Sequence, residues 1–179
     1  MKCWQIALAV SIVIGSAATA LAWQFVAGMN AYGDTATGIV QPARNAGGAI
    51  LAIGCNGDRW RIVAVGPPAG GGLKLDLDGQ VRTSFGPDLG PREKWQVHKR
   101  GKPRRTTTYL APAPSDLVRQ MLAAEDATAG AVFRVAVRSG GKPVVLEFPI
   151  AGLRAAIRKD LWGPCKLGNA IPESEFDRR

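Results

Sequence analysis

The sequence predicts a mainly β fold of the α+β kind: an antiparallel sandwich or curved sheet carrying two short helices. Three observations predict it. Short apolar runs of strand length recur along the chain, Asn-Gly, Asp-Gly and Gly-Gly signals punctuate them, and only two segments, 115–126 and 152–162, carry helical spacing. With 179 residues, 46% of them hydrophobic, the chain fits one compact domain and is neither a disordered acidic nor a collagen-like sequence.

The first element is a targeting segment. Met1-Lys2 opens positively, residues 6–14 are nearly all apolar, and Ala20-Leu21-Ala22 gives the small-x-small pattern that a signal peptidase accepts. The reading is a signal peptide over 1–22. An uncleaved anchor is the alternative, but the 17 residues from Ile6 to Ala22 fall short of the roughly 20 that span a bilayer and decay into small residues without a basic stop. The run from Leu51 to Cys55 faintly resembles a lipobox but lies too deep in the chain, and Cys3 precedes the apolar run.

Cleavage divides the chain into a β-rich domain over 23–165 and a polar C-terminal tail over 166–179. The net charge falls from +9 to +8 because Lys2 leaves, and two cysteines remain, Cys55 and Cys165. In an oxidising compartment such a pair is expected to form a disulfide, since metal ligation needs further ligands. It would tie an early strand to the end of the last helix.

The remaining elements follow in order. Residues 23–29 are apolar and 30–48 read as irregular. The runs 49–55 and 59–66, joined by Asn56-Gly57-Asp58, form a hairpin because Asn-Gly tolerates the positive φ of a tight turn. Leu73, Leu75 and Leu77 alternate with Lys74, Asp76 and Asp78, the period-2 pattern of a half-buried strand that turns or bulges at Gly79 into a strand over 81–85. Residues 95–99 and 106–110 are two more strands around a turn-rich tip. Ser115 is the expected N-cap of a helix that carries Leu117, Met121 and Ala124 on one face and stops near Asp126. Residues 131–138 and 144–150 make a second hairpin, with Phe133, Val135 and Val137 on one face. Gly152 opens a last helix bearing Leu153, Ile157 and Leu161, stopped by Gly163-Pro164 before Cys165.

Candidate chemistry is sparse. There is one His and no Cys-x-x-Cys, His-Glu-x-x-His, Walker loop or Gly-x-Ser-x-Gly, so no catalytic set, cofactor or metal site is implied. His98 falls on the polar side of its strand, and Asp76 and Asp78 read as an acidic strand face paired to Arg or Lys. Either could serve a small envelope hydrolase only if brought into one cleft, and an inhibitor of an envelope enzyme, acting through a protruding loop, is the related alternative. The tryptophans Trp23, Trp60, Trp95 and Trp162 sit on separate elements and read as core anchors. The most specific local feature is the basic tip formed by Lys99, Arg100, Lys102, Arg104 and Arg105, with Arg92 and Lys94 upstream. Its positive field suits an acidic protein surface or an anionic envelope component, touching a membrane only peripherally. Nucleic acid is not expected, because an exported protein rarely meets it and the tip lacks interleaved aromatics.

The run Leu51-Ala52-Ile53-Gly54-Cys55, Trp95, the helix and hairpin that follow, Phe148-Pro149-Ile150-Ala151-Gly152-Leu153 and the closing Cys165 together resemble the periplasmic VasI-type proteins associated with type VI secretion. Pro68-Ala69-Gly70, Asp78-Gly79 and Ile150-Ala151-Gly152 give a weaker likeness to the invasion-associated locus B proteins. Neither likeness implies a catalytic residue set. Both imply a small periplasmic or secreted protein that acts by binding, as an accessory to an envelope assembly or as a host-facing factor.

Overall fold

The computed structural model describes residues 23–30, 35–45, 48–56, 59–67, 73–100, 106–167 and 176. Residues 1–22, which the sequence reading assigns to a signal peptide, Gly57-Asp58, the segment 68–72, residues 101–105 and most of 166–179 lie outside them. Among the described residues ten strands form two antiparallel sheets. The first contains β1 (Gln24–Asn30), β2 (Thr35–Pro42), β3 (Ile50–Asn56), β4 (Arg59–Gly66), β7 (Gln96–Arg100) and β8 (Thr106–Leu110), in the order β1-β2-β3-β4-β8-β7. The second contains β5 (Gln80–Ser84), β6 (Arg92–Lys94), β9 (Val132–Ser139) and β10 (Lys142–Pro149), in the order β10-β9-β5-β6. Helix α1 (Pro114–Ala127) packs on β4, and α2 (Leu153–Ala156) runs into a π-helical turn (Ile157–Leu161) that packs on β2.

The mainly β fold with two short helices is therefore as expected. Strand alternation explains its core. Ile39, Leu51, Ile53, Val63, Val65 and Tyr109 of the first sheet meet Val81, Phe133, Val135, Val137, Leu146 and Phe148 of the second in one buried cluster, closed by Leu117, Val118 and Met121 and by Leu153, Ile157 and Leu161. The opposite face of the first sheet carries a smaller cluster of Ala52, Ala64 and Leu110, against which Val40 packs.

Both predicted hairpins form. Their register is Asn56↔Arg59 in one and Ser139↔Lys142 in the other. The second closes on Gly140 and Gly141, with φ of 58° and 78°, the positive values that a two-residue type I′ turn demands. Pro143 is tolerated in β10 because that strand lies at the sheet edge.

Four expectations change. Residues 30–48 are not irregular throughout: β2 sits there, paired on both sides by β1 and β3, so neighbours rather than its Gly- and Thr-rich composition decide its form. Leu73, Leu75 and Leu77 do not make a strand. Leu75 alone bridges to Ser139, with the Asp76 N–H donating to the Arg138 carbonyl at 2.9 Å, and Leu77 is 59% exposed, so the pairing does not extend into a ladder. Ser115 is not the N-cap. Pro114, which has no N–H to satisfy, takes the first turn, the cap is Ala113, and no side chain caps the helix. Finally, residues 166–179 are not wholly a polar tail: Leu167 and Phe176 are buried, with the Phe176 ring 4.8 Å from that of Trp162 and beneath the Arg154 guanidinium.

Candidate binding surface

Cys55 and Cys165 are joined in a disulfide, with Cα atoms 5.7 Å apart, both buried. The link fastens β3 to the turn that follows the π-helical segment, as the sequence anticipates. Gly163-Pro164 ends the helix there, and the Cys165 N–H reaches back to the Leu161 carbonyl at 2.9 Å. Among the described residues no helix is long and apolar enough to cross a membrane.

The residues singled out for catalysis do not converge. Val97 lies opposite Tyr109 in the β7–β8 register and packs against the core, so His98, opposite Thr108, points to the other face of the sheet. The aspartates are engaged elsewhere. The Tyr109 hydroxyl donates to the Asp76 carbonyl at 2.6 Å and lies 3.3 Å from Asp78 Oδ1, while Asp78 Oδ1 also accepts from the Gln80 N–H at 3.1 Å. Asp76 accepts from the Gly141 N–H at 3.0 Å and faces Arg138 at 3.7 Å. Burial, followed by the nearby Asp78 carboxylate, pushes the Tyr109 phenol well above its usual range. This network stands where a ladder would, and it holds the segment before β5 against the first sheet. Gly79 allows it, since a Cβ there would lie 2.5 Å from the Trp95 carbonyl oxygen.

Of the basic tip, Lys99 is exposed on β7, an edge strand of the first sheet, and Arg100 ends that strand. Lys102, Arg104 and Arg105 lie outside the described residues. Charge on an edge strand also discourages strand pairing with other chains, so the position of Lys99 serves either purpose.

A second basic surface is not visible in the sequence. The register of the second sheet places Arg92 opposite Arg82, Arg82 opposite Ala136 and Ala136 opposite Val145, a single row across all four strands. Because Val81, Val135 and Leu146 face the core, this row faces outward. It floors a groove of about 380 Å3, with Arg138, Gln80 and Leu89 among its other walls. The loop after β5 is stapled beside it: Arg82 Nε donates to the Gly90 carbonyl at 2.7 Å and Nη2 to that of Leu89 at 2.9 Å, while Arg134 Nη1 reaches Gly86 at 2.9 Å. Carbonyls orient Arg82 without neutralising it. Arg134 is matched by Glu147 at 3.1 Å, whereas Arg92 makes no ion pair among the described residues. The sequence signal available was Arg82 and Arg138 at the polar positions of their strands, but only the strand order brings them together.

Comparison with known proteins finds no matching family model, no matching curated protein and no matching solved structure.

Proposed function

We propose that the chain is an exported, non-enzymatic binding protein that captures an acidic protein surface or an anionic envelope component through its basic faces. The observation that carries this reading is the outward row in which two arginines stand directly opposite each other beside an apolar floor. Like charges directly opposed across strands are unfavourable. Their persistence is accounted for if a bound anion neutralises them, and local rules of this kind are broken most often at functional sites.

The basic tip at Lys99, Arg100, Lys102, Arg104 and Arg105 supplies the longer-range field. Such a field raises the rate of encounter more than the final affinity. Location in the periplasm or beyond is supported by the buried disulfide, because cytosolic thiols are kept reduced. An accessory role in an envelope secretion assembly, the role implied by the likeness to the VasI-type proteins, belongs to the same proposal.

Capture from envelope extracts tests it. Reversing Arg100, Arg104 and Arg105 to Glu should lower capture, and adding Arg92→Glu should abolish it. Undiminished capture by the fourfold variant contradicts the electrostatic mechanism.

A further inference from the structure

We infer that the outward groove on the second sheet docks an extended acidic peptide segment of a partner protein. One carboxylate is held between Arg82 and Arg92, and a neighbouring apolar side chain lies on Ala136 and Val145. The inference rests on the reading above that this protein acts by binding anions, and it names the site and the ligand class.

Charge complementarity is the first argument. Arg82 and Arg92 are register partners, and Arg138 stands two residues from Ala136 on β9, one diagonal step from Arg82. Such diagonal neighbours lie roughly 7–8 Å apart. Two acids stand beside them: Asp76 faces Arg138 at 3.7 Å, and Asp78 has its Oδ1 engaged by Gln80 and Tyr109, which leaves Arg82 and Arg92 as the charges without a carboxylate partner among the described residues. Planar guanidinium groups fixed at a surface favour carboxylate, which they can grip through two parallel hydrogen bonds. Arg82 comes with its plane set by the two loop carbonyls, so little order remains to be imposed on binding.

The apolar half of the row is the second argument. Val145 is 39% exposed although its strand neighbours Leu146 and Val144 are buried or packed on the core. Stapling of the loop accounts for Arg82 but for neither Val145 nor Arg92.

Dimensions select the peptide. Strands lie about 4.8 Å apart, so the row from Arg92 to Val145 spans roughly 14 Å, the length of about four extended residues. Residues i and i+2 of an extended peptide are about 6.8 Å apart, which takes a carboxylate held between Arg92 and Arg82 to an apolar side chain over Ala136, one strand spacing from Val145. A nucleic acid would want aromatic surfaces on which to stack, and no aromatic lines this groove among the described residues.

The test is an NMR titration of the oxidised, processed protein with an acetylated eight-residue peptide that repeats Glu-Ser-Leu-Ser, so that glutamate and leucine stand two residues apart on one face. Its controls are the glutamine-for-glutamate peptide and phosphatidylglycerol vesicles. Expected are amide shifts centred on Arg82, Arg92, Ala136 and Val145, affinity that falls as salt rises, at least tenfold weaker binding in Arg92→Glu, and unchanged binding in Lys159→Glu, an exposed lysine on the π-helical turn. Near-UV circular dichroism verifies that Arg92→Glu is folded, and Arg92→Ala should lie between it and wild type. Equal binding of the glutamine peptide, or binding to vesicles but not to the peptide, overturns the inference. Shifts centred on β7 around Lys99 also overturn it while leaving the anion-binding reading intact. Silence from both the peptide and the vesicles removes both.

Discussion

Replacing Cys55 and Cys165 together by Ala should destabilise the protein by an amount that follows from chain length. The bond closes a sequence separation of 110 residues. Restricting the unfolded chain over such a loop stabilises the native state by about 5 kcal/mol in the chain-entropy account. Domains of this size are typically stable by about 5–15 kcal/mol, so the loss is a third or more of the total. Urea unfolding followed by tryptophan fluorescence, which reports on buried Trp95 among others, measures it. With a slope of about 2 kcal/mol/M, the midpoint should fall by roughly 2.5 M. The slope itself should rise, because the uncrosslinked unfolded chain exposes more surface. Changing both cysteines avoids a stray thiol in the core. A midpoint shift below about 0.5 M would refute the reasoning, since it would mean that the bond hardly restricts the unfolded chain.

Three further outcomes follow from the packing. Gly79→Ala should cost more than Gly141→Ala. Both sit at positive φ, worth about 1–2 kcal/mol each, but only the former drives a Cβ into the Trp95 carbonyl, and thermal unfolding compares them. Tyr109→Phe removes the hydrogen bond to the Asp76 carbonyl and should cost about 1 kcal/mol at neutral pH. The Tyr109 pKa is raised on folding, so its contribution is full below the unfolded value near 10 and is lost as pH climbs above it. Wild type should therefore lose stability above pH 10 more steeply than Tyr109→Phe, a difference read from urea midpoints at pH 8 and pH 11. Phe176→Ala should destabilise by about 3 kcal/mol, a value foreign to a solvated tail, as measured by the same urea titration.

The parts of the fold that the sequence disclosed are those written in local chemistry. Asn56-Gly57 and Gly140-Gly141 announce turns, the alternation around Phe133, Val135 and Val137 announces a face, and the paired cysteines announce a staple. What it concealed depends on partners far away. β2 owes its form to β1 and β3, and the 73–79 segment forfeits its apparent strand because Tyr109, more than thirty residues later, satisfies the Asp76 carbonyl. Ser115 misled because Pro114 beside it fills the first helical position without needing a cap. The burial of Phe176 was masked by the polar residues around it. The groove was hidden for the strongest reason: Arg92, Arg82, Ala136 and Val145 come from four strands, and a shift of one residue in any pairing would send a side chain to the opposite face. A basic tip contiguous in sequence is visible at once, whereas a basic row contiguous only in space is not.

Every functional statement assumes that the protein works oxidised and outside the cytosol. Intact-mass spectrometry of protein recovered from the producing cells, with and without alkylation under denaturing conditions, measures this directly. The account predicts a chain beginning at Trp23 that takes up no alkylating agent until it is reduced. A chain still carrying Met1 or the residues after it, with two thiols that alkylate at once, would contradict it.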